Sequence, residues 1–182
     1  MFVCFSCSPK EDIKNWQYEY YASKAQKKQE AGEFQEASNL LQSALDIAIE
    51  RDWTNRVVAT RQQIAMQFFS MHMQSESEEQ LKESRSLCLR KEDCSAGLLR
   101  SNYNLEIWDR ISLAKDIDGA SKLIDEAIDN KDKLDGLGDF RDIVQQWIAE
   151  VREGGFENEA MAIQRKADTR LKATPIGNGT SK

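Results

Sequence analysis

Two ten-residue stretches lying 83 positions apart nearly repeat each other, and this limits the possible folds more than any other feature. Residues 37–46 read A-S-N-L-L-Q-S-A-L-D and residues 120–129 read A-S-K-L-I-D-E-A-I-D, with five identities and two leucine–isoleucine exchanges. A third copy at 160–168, A-M-A-I-Q-R-K-A-D, lies 40 positions further on and keeps both alanines seven apart. The larger offset is about two steps of 41, so a degenerate copy belongs between the first two. Leu81 and Cys88, also seven apart, are assigned to that slot. Four units of about 40 residues follow. Residues 37, 40, 41, 44, 45 and 48 share one helical face. On it, small Ala37 and Ala44 admit a neighbouring helix, and Leu40, Leu41 and Leu45 fill the space around that approach.

Pro9 and Pro175 are the only prolines, which favours an all-helical body between them. A partner helix is expected before each repeat, at roughly 11–30, 54–73, 97–115 and 139–153. The last shows Phe140, Ile143, Val144, Trp147, Ile148 and Val151 on one face. Glycines 32, 97, 119, 136, 138, 154 and 155 punctuate the pattern. Residues 74–78 are read as a glycine-free turn, with Ser77 and Gln80 forming a capping box for the next helix. Short turns make antiparallel hairpins, and hairpins of this size bury their faces only by stacking. The expected organisation is an apolar cysteine-bearing segment at 1–12, a helical repeat domain at 13–172 and a disordered tail at 173–182.

Composition narrows the function. With 25 basic and 31 acidic residues the net charge is −6, which argues against a nucleic-acid binder. A single histidine, His72, excludes mechanisms that need a histidine pair within one chain, and it is read as structural. Cys4 and Cys7 form a C-x-x-C without a matching second pair, so no metal site is expected. Cys88 reads as a small core residue and Cys94 as a loop residue; a disulfide between them requires an oxidising compartment. The glycines at 136 and 138 lack the further glycine and preceding strand of a phosphate loop. Asp116, Asp118, Asp125 and Asp129 read as solvated helix-surface charge, and Asp116-x-Asp118 lacks the rest of a calcium loop. Met66, Met71 and Met73 suit core filling or a soft binding surface. Trp16, Trp108 and Trp147 are placed on apolar helical faces, and Trp53 in a turn where it caps the core. No cofactor and no enzymatic activity are expected.

The segment Met1-Phe2-Val3-Cys4-Phe5-Ser6-Cys7-Ser8-Pro9 supports three readings: a frayed apolar tail, a tail docked on the first helix, or a membrane tether acylated at Cys4 or Cys7. The tether includes a lipoprotein-signal variant that needs a start codon upstream. Ile13, Trp16, Tyr20 and Tyr21 mark a candidate end for self-association.

The first unit resembles a tetratricopeptide repeat. Gly32-Glu33-Phe34-Gln35-Glu36-Ala37, then six residues and Ala44-Leu45, matches that family's turn and second helix, with Tyr21 and Ala25 at its large and small positions. The third unit matches at Ile107, Ile111, Ala120, Ile124 and Ala127, and departs at Trp108, where wider packing is expected. The fourth matches through Trp147, Gly155, Ala160 and Ala167, while the second has almost none of the signature. The units exceed the family's usual length of about 34 residues and lack its closing proline.

The resemblance implies a right-handed α-solenoid whose concave groove is lined by the first helix of each pair. The implied positions are Glu19, Ala22, Gln26 and Gln29, then Gln63, Met66, Ser70 and Met73, then Asn102, Leu105, Asp109 and Ser112, and finally Asp142, Gln145 and Arg152. Ala22 and Gln26 stand among the positions where some members clamp a chaperone's terminal carboxylate with Lys and Asn, which argues against that role. The expected function is a cytoplasmic, non-enzymatic scaffold or adaptor for a neutral to basic peptide or helix. The alternative is a membrane-anchored accessory protein of a cell-envelope or transport complex, facing cytoplasm or periplasm and holding an apolar small ligand.

Overall fold

The computed structural model describes residues 9–134 and 140–171; Cys4, Cys7, Gly136, Gly138 and the tail from 173 lie outside them. The described residues are helical and contain no strand. The helices are α1 (Pro9–Glu30), α2 (Phe34–Glu50), α3 (Thr54–Ser70), α4 (Gln74–Arg90), α5 (Ala96–Asp109), α6 (Ile117–Asp129), α7 (Lys131–Leu134), α8 (Phe140–Glu153) and α9 (Glu157–Leu171). A π turn, Arg110–Ala114, continues α5. The chain divides into two compact units, Met1–Leu98 and Leu99–Lys182. Within the first unit α1 packs on α2, α2 on α3 and α3 on α4; within the second α8 packs on α9, and α6 on both α8 and α9. The architecture is all-α, with repeated helical hairpins.

One turn design recurs four times. Gly32, Asp52, His72 and Gly155 each take a left-handed conformation at φ +75°, +50°, +59° and +91°. The following residue donates its N–H five residues back: Glu33 to Lys28, Trp53 to Ala48, Met73 to Phe68 and Phe156 to Val151, at 2.9–3.2 Å. This 6→1 bond, with a left-handed residue before its donor, caps carbonyls that the helix end leaves bare. Glycine adopts such φ without steric cost, and Asp52 and His72 fill the same place without being glycine. His72 is thus an exposed turn residue.

The first unit is regular because its left-handed positions fall every twenty residues. That register corrects the assignment of the degenerate repeat. Forty residues after Ala37, Leu41, Ala44 and Ala48 stand Ser77, Leu81, Ser84 and Cys88. The alanine positions are therefore Ser77 and Ser84, both fully buried. Their hydroxyls donate to the Ala65 carbonyl at 3.0 Å and the Val58 carbonyl at 3.2 Å of the facing α3. Ser77 consequently does not cap a helix. The turn ends at Met73, and α4 begins at Gln74 without a side-chain cap.

The second unit departs from this cadence. A five-residue loop, 91–95, replaces the three-residue turns, and the π turn absorbs another residue. Asp116 then opens α6 as its N-cap, accepting from the Gly119 N–H at 2.9 Å and pairing with Arg110. Those contacts hold its carboxyl below its usual range, the Gly119 bond most strongly. A Cβ at Gly119 would stand 2.7 Å from the Arg110 side chain and closer still to the Asp116 carboxylate, so any other residue here displaces that pair. Asp125 and Asp129 are likewise engaged, both with Arg170.

Each unit has its own core. In the first, Tyr18, Leu41, Leu45, Ala44, Val57 and Ile64 cluster, with Tyr21 and Trp53 packed on their edge. In the second, Trp147 is 1% exposed, lies against Tyr103 and Phe140, and donates its indole N–H to Asn104 Oδ1 at 2.7 Å. Burying such a ring contributes about 3 kcal/mol and the bond satisfies its polar atom. Trp108 is exposed instead, so its bulk forces no wider packing, and Trp16 is exposed too. Cys88 and Cys94 are joined as a disulfide that ties the end of α4 to the 91–95 loop. Asn55 holds the same loop through the Asp93 carbonyl and the Ser95 N–H.

Candidate binding groove

In the first unit, Glu19, Ala22, Gln26, Gln29 and Gln63 line one open cavity of about 670 Å³, together with Ser23, Ala25, Glu30, Phe34 and Leu41. Helical spacing explains the gathering: 19, 22, 26 and 29 recur every three or four residues on α1, and Gln63 comes from α3, two helices on. Glu19 and Glu30 are the charged residues of this lining, which contains no Lys or Arg. Gln26 donates to Glu30 at 3.0 Å. Phe34 and Leu41 supply an apolar floor.

Beside this cavity stands an arrangement that sequence reading missed. The Arg56 guanidinium lies 4.6 Å from the Tyr18 ring centroid and 4.3 Å from that of Trp53, and it pairs with Glu19 at 3.0 Å. Two aromatic faces and one carboxylate fix the cation, and through it the Glu19 side chain. Trp53 and Arg56, one helical turn apart, were the available signal; Tyr18, 35 residues earlier, gave none.

Other predicted positions fall differently. Met66 and Ser70 are exposed on α3 and Met73 is half-buried in the next turn, so these methionines do not fill the core. The Ser70 hydroxyl is used within the helix, donating to the Met66 carbonyl at 3.1 Å. In the second unit Leu105 and Ser112 are half-buried, while Asp142, Gln145 and Arg152 are exposed, Arg152 paired with Glu157. Asn102 and Asp109 are buried, which corrects their placement on an open surface. With Glu106 they form a polar row at i, i+4 and i+7 on the side of α5 that also buries Leu99, Tyr103 and Ile107; Asn102 donates to Glu106 at 3.3 Å. The register implied by the tetratricopeptide resemblance therefore does not carry over to α5, where helical spacing puts positions 102, 106 and 109 on the covered side.

A second cavity of the first unit, about 610 Å³, has a self-neutralising lining: Arg61, Lys82 and Arg90 stand among Asp52, Glu79 and Glu83. Among the described residues no group of three or more His, Cys, Asp or Glu could hold a metal ion. No described helix is long and apolar enough to cross a membrane.

No protein-family model matches this chain, and no curated protein sequence does. Among solved structures it is similar to BtubC (BKLC) from P. vanneervenii, at 19% identity and a TM-score of 0.61, over 93% of this chain and 70% of that one. At that identity the likeness shows the helical fold alone.

Proposed function

We propose that this chain is a non-enzymatic interaction module of tetratricopeptide-like build, and that the groove of its first unit takes an extended, neutral to basic peptide. The observation that carries this reading is the lining of the 670 Å³ cavity, where three glutamines and two carboxylates, Glu19 already paired with Arg56, line one trough. Glutamine amides both donate to and accept from a peptide backbone, so they suit an extended segment of varied sequence. Glu30 favours a Lys or Arg side chain, and Phe34 and Leu41 provide a place for an aliphatic one.

The test is selection from a random peptide library on the full chain, with affinities of the selected peptides then measured at low and high salt. Enriched peptides should be basic and should weaken as salt rises. Gln26→Lys, Gln29→Lys and Gln63→Lys together place cations on exposed positions and should cost at least about tenfold in affinity, or about 1.4 kcal/mol. Equal binding by parent and triple variant, or no enriched peptide, rejects the proposal.

A further inference from the structure

The two carboxylates of the groove are held in place by different chemistry. Glu19 Oε1 accepts from the Arg56 guanidinium at 3.0 Å, and that guanidinium is fixed in turn against the Tyr18 and Trp53 rings. Glu30 Oε1 accepts from the Gln26 side-chain amide at 3.0 Å. An amide donor positions a carboxylate and leaves its charge intact, whereas a guanidinium positions it and offsets the charge. Glu19 is therefore half of a neutral pair, and Glu30 keeps its negative charge. Lys27 and Lys28, close to Glu30 in sequence, line another cavity, where Lys28 pairs with Glu33 and Glu36. Glu30 is also the last residue of α1, where the partial negative charge of a helix C-terminus adds to its own.

We infer, resting on the peptide-binding reading above, that the groove attracts positive charge at one end only. A bound peptide sets its Lys or Arg beside Glu30 and neutral residues along the rest of the way to Glu19. Glu19 and Glu30 stand eleven positions apart in the sequence. Along α1 that is about 16 Å, at about 1.5 Å per residue. An extended chain spans this distance in about five residues of about 3.3 Å each. A ligand ammonium drawn to Glu19 meets a guanidinium already bound to the same oxygen, so a second basic residue at that end gains little. Arg56 stands outside the cavity lining and acts on the peptide through Glu19, as a positioning residue. Its removal turns a groove with one anionic end into a groove with two.

The test is selection of random nonapeptides, acetylated and amidated at their ends, on the full chain and on its variants. Peptides enriched on the parent should carry one basic position. Glu30→Gln should erase that preference and lower the affinity of the parent's peptides about threefold, as loss of one exposed charge contact does. Arg56→Gln should add a second basic position about five residues from the first. Adding Glu19→Gln to Arg56→Gln should remove that second position again, and Arg56→Lys, which keeps the charge, should not create it. A purely structural role for Arg56 would move neither profile. Two basic positions on the parent, a basic preference that survives Glu30→Gln, or an Arg56→Gln profile equal to the parent's overturns the inference. Glu30 is exposed, so its variant decides the matter even where Arg56→Gln does not fold. Failure of the peptide-binding reading itself looks different: no peptide is enriched, or the Gln26→Lys, Gln29→Lys and Gln63→Lys variant binds the parent's peptides equally, and then both fall.

Discussion

In the hairpin of α1 and α2 two of the fully buried small positions are Ala37 and Ala44; forty residues on, in the hairpin of α3 and α4, serines 77 and 84 take their places. The turn closing the first hairpin places Gly32 in the left-handed region; the turn closing the second places His72 there. The backbone hydrogen bonds of the two turns correspond residue for residue. Two hairpins that share almost none of their signature residues thus share their geometry. Such a fold selects for side-chain size at the small positions and for tolerance of positive φ at the turn, and alanine and glycine are only the commonest answers. Serine meets the size limit because a facing carbonyl accepts its hydroxyl, which would otherwise be costly to bury.

The strongest way to break the equivalence is to overfill both hairpins. Ala44→Trp and Ser84→Trp should each lose about 3 kcal/mol in denaturant unfolding, the upper end of overpacking costs. If only one does, the two positions are not equivalent. A milder test converts the second hairpin to the chemistry of the first. In Ser77→Ala with Ser84→Ala, each substitution loses a hydrogen bond worth about 1 kcal/mol and regains about 0.5 kcal/mol of helix propensity, so the double variant should be weaker by about 1 kcal/mol. The smallest effects belong to the turns. Gly32→Ala should cost about 1 kcal/mol, and His72→Gly should gain about 0.5 kcal/mol, because relief of left-handed strain outweighs the entropy glycine loses on folding. Opposite signs in thermal melts would show that the two turns impose the same backbone; equal signs would separate them.

Most of the architecture was legible in the sequence, for a physical reason. Where apolar and small residues recur with helical spacing, as in 37–48 and 120–128, burial on one face is the dominant energy and the pattern reports it directly. The errors fall where one requirement is met by an unexpected residue. Ser77 was read as a cap because serine commonly caps helices, yet here it replaces alanine at a close contact. The tetratricopeptide register puts Asn102 and Asp109 in an open groove, yet they occupy a covered face of α5. The candidate groove was half legible. Positions 19, 22, 26, 29 and 63 do meet in one cavity, since α1 and α3 are regular helices in one unit. The Arg56 stack was not legible, because it joins Tyr18 to Trp53 across the fold and no periodicity links them.

The bond between Cys88 and Cys94 closes a small ring around the stretch that carries Arg90 and Lys91, just before the boundary at Leu98. A trypsin-like protease cutting after either residue therefore cuts inside the ring. The two products stay covalently joined through sulfur, and only reduction releases them. While the ring is closed, a nick at this loop does not by itself part the helices before it from those after it.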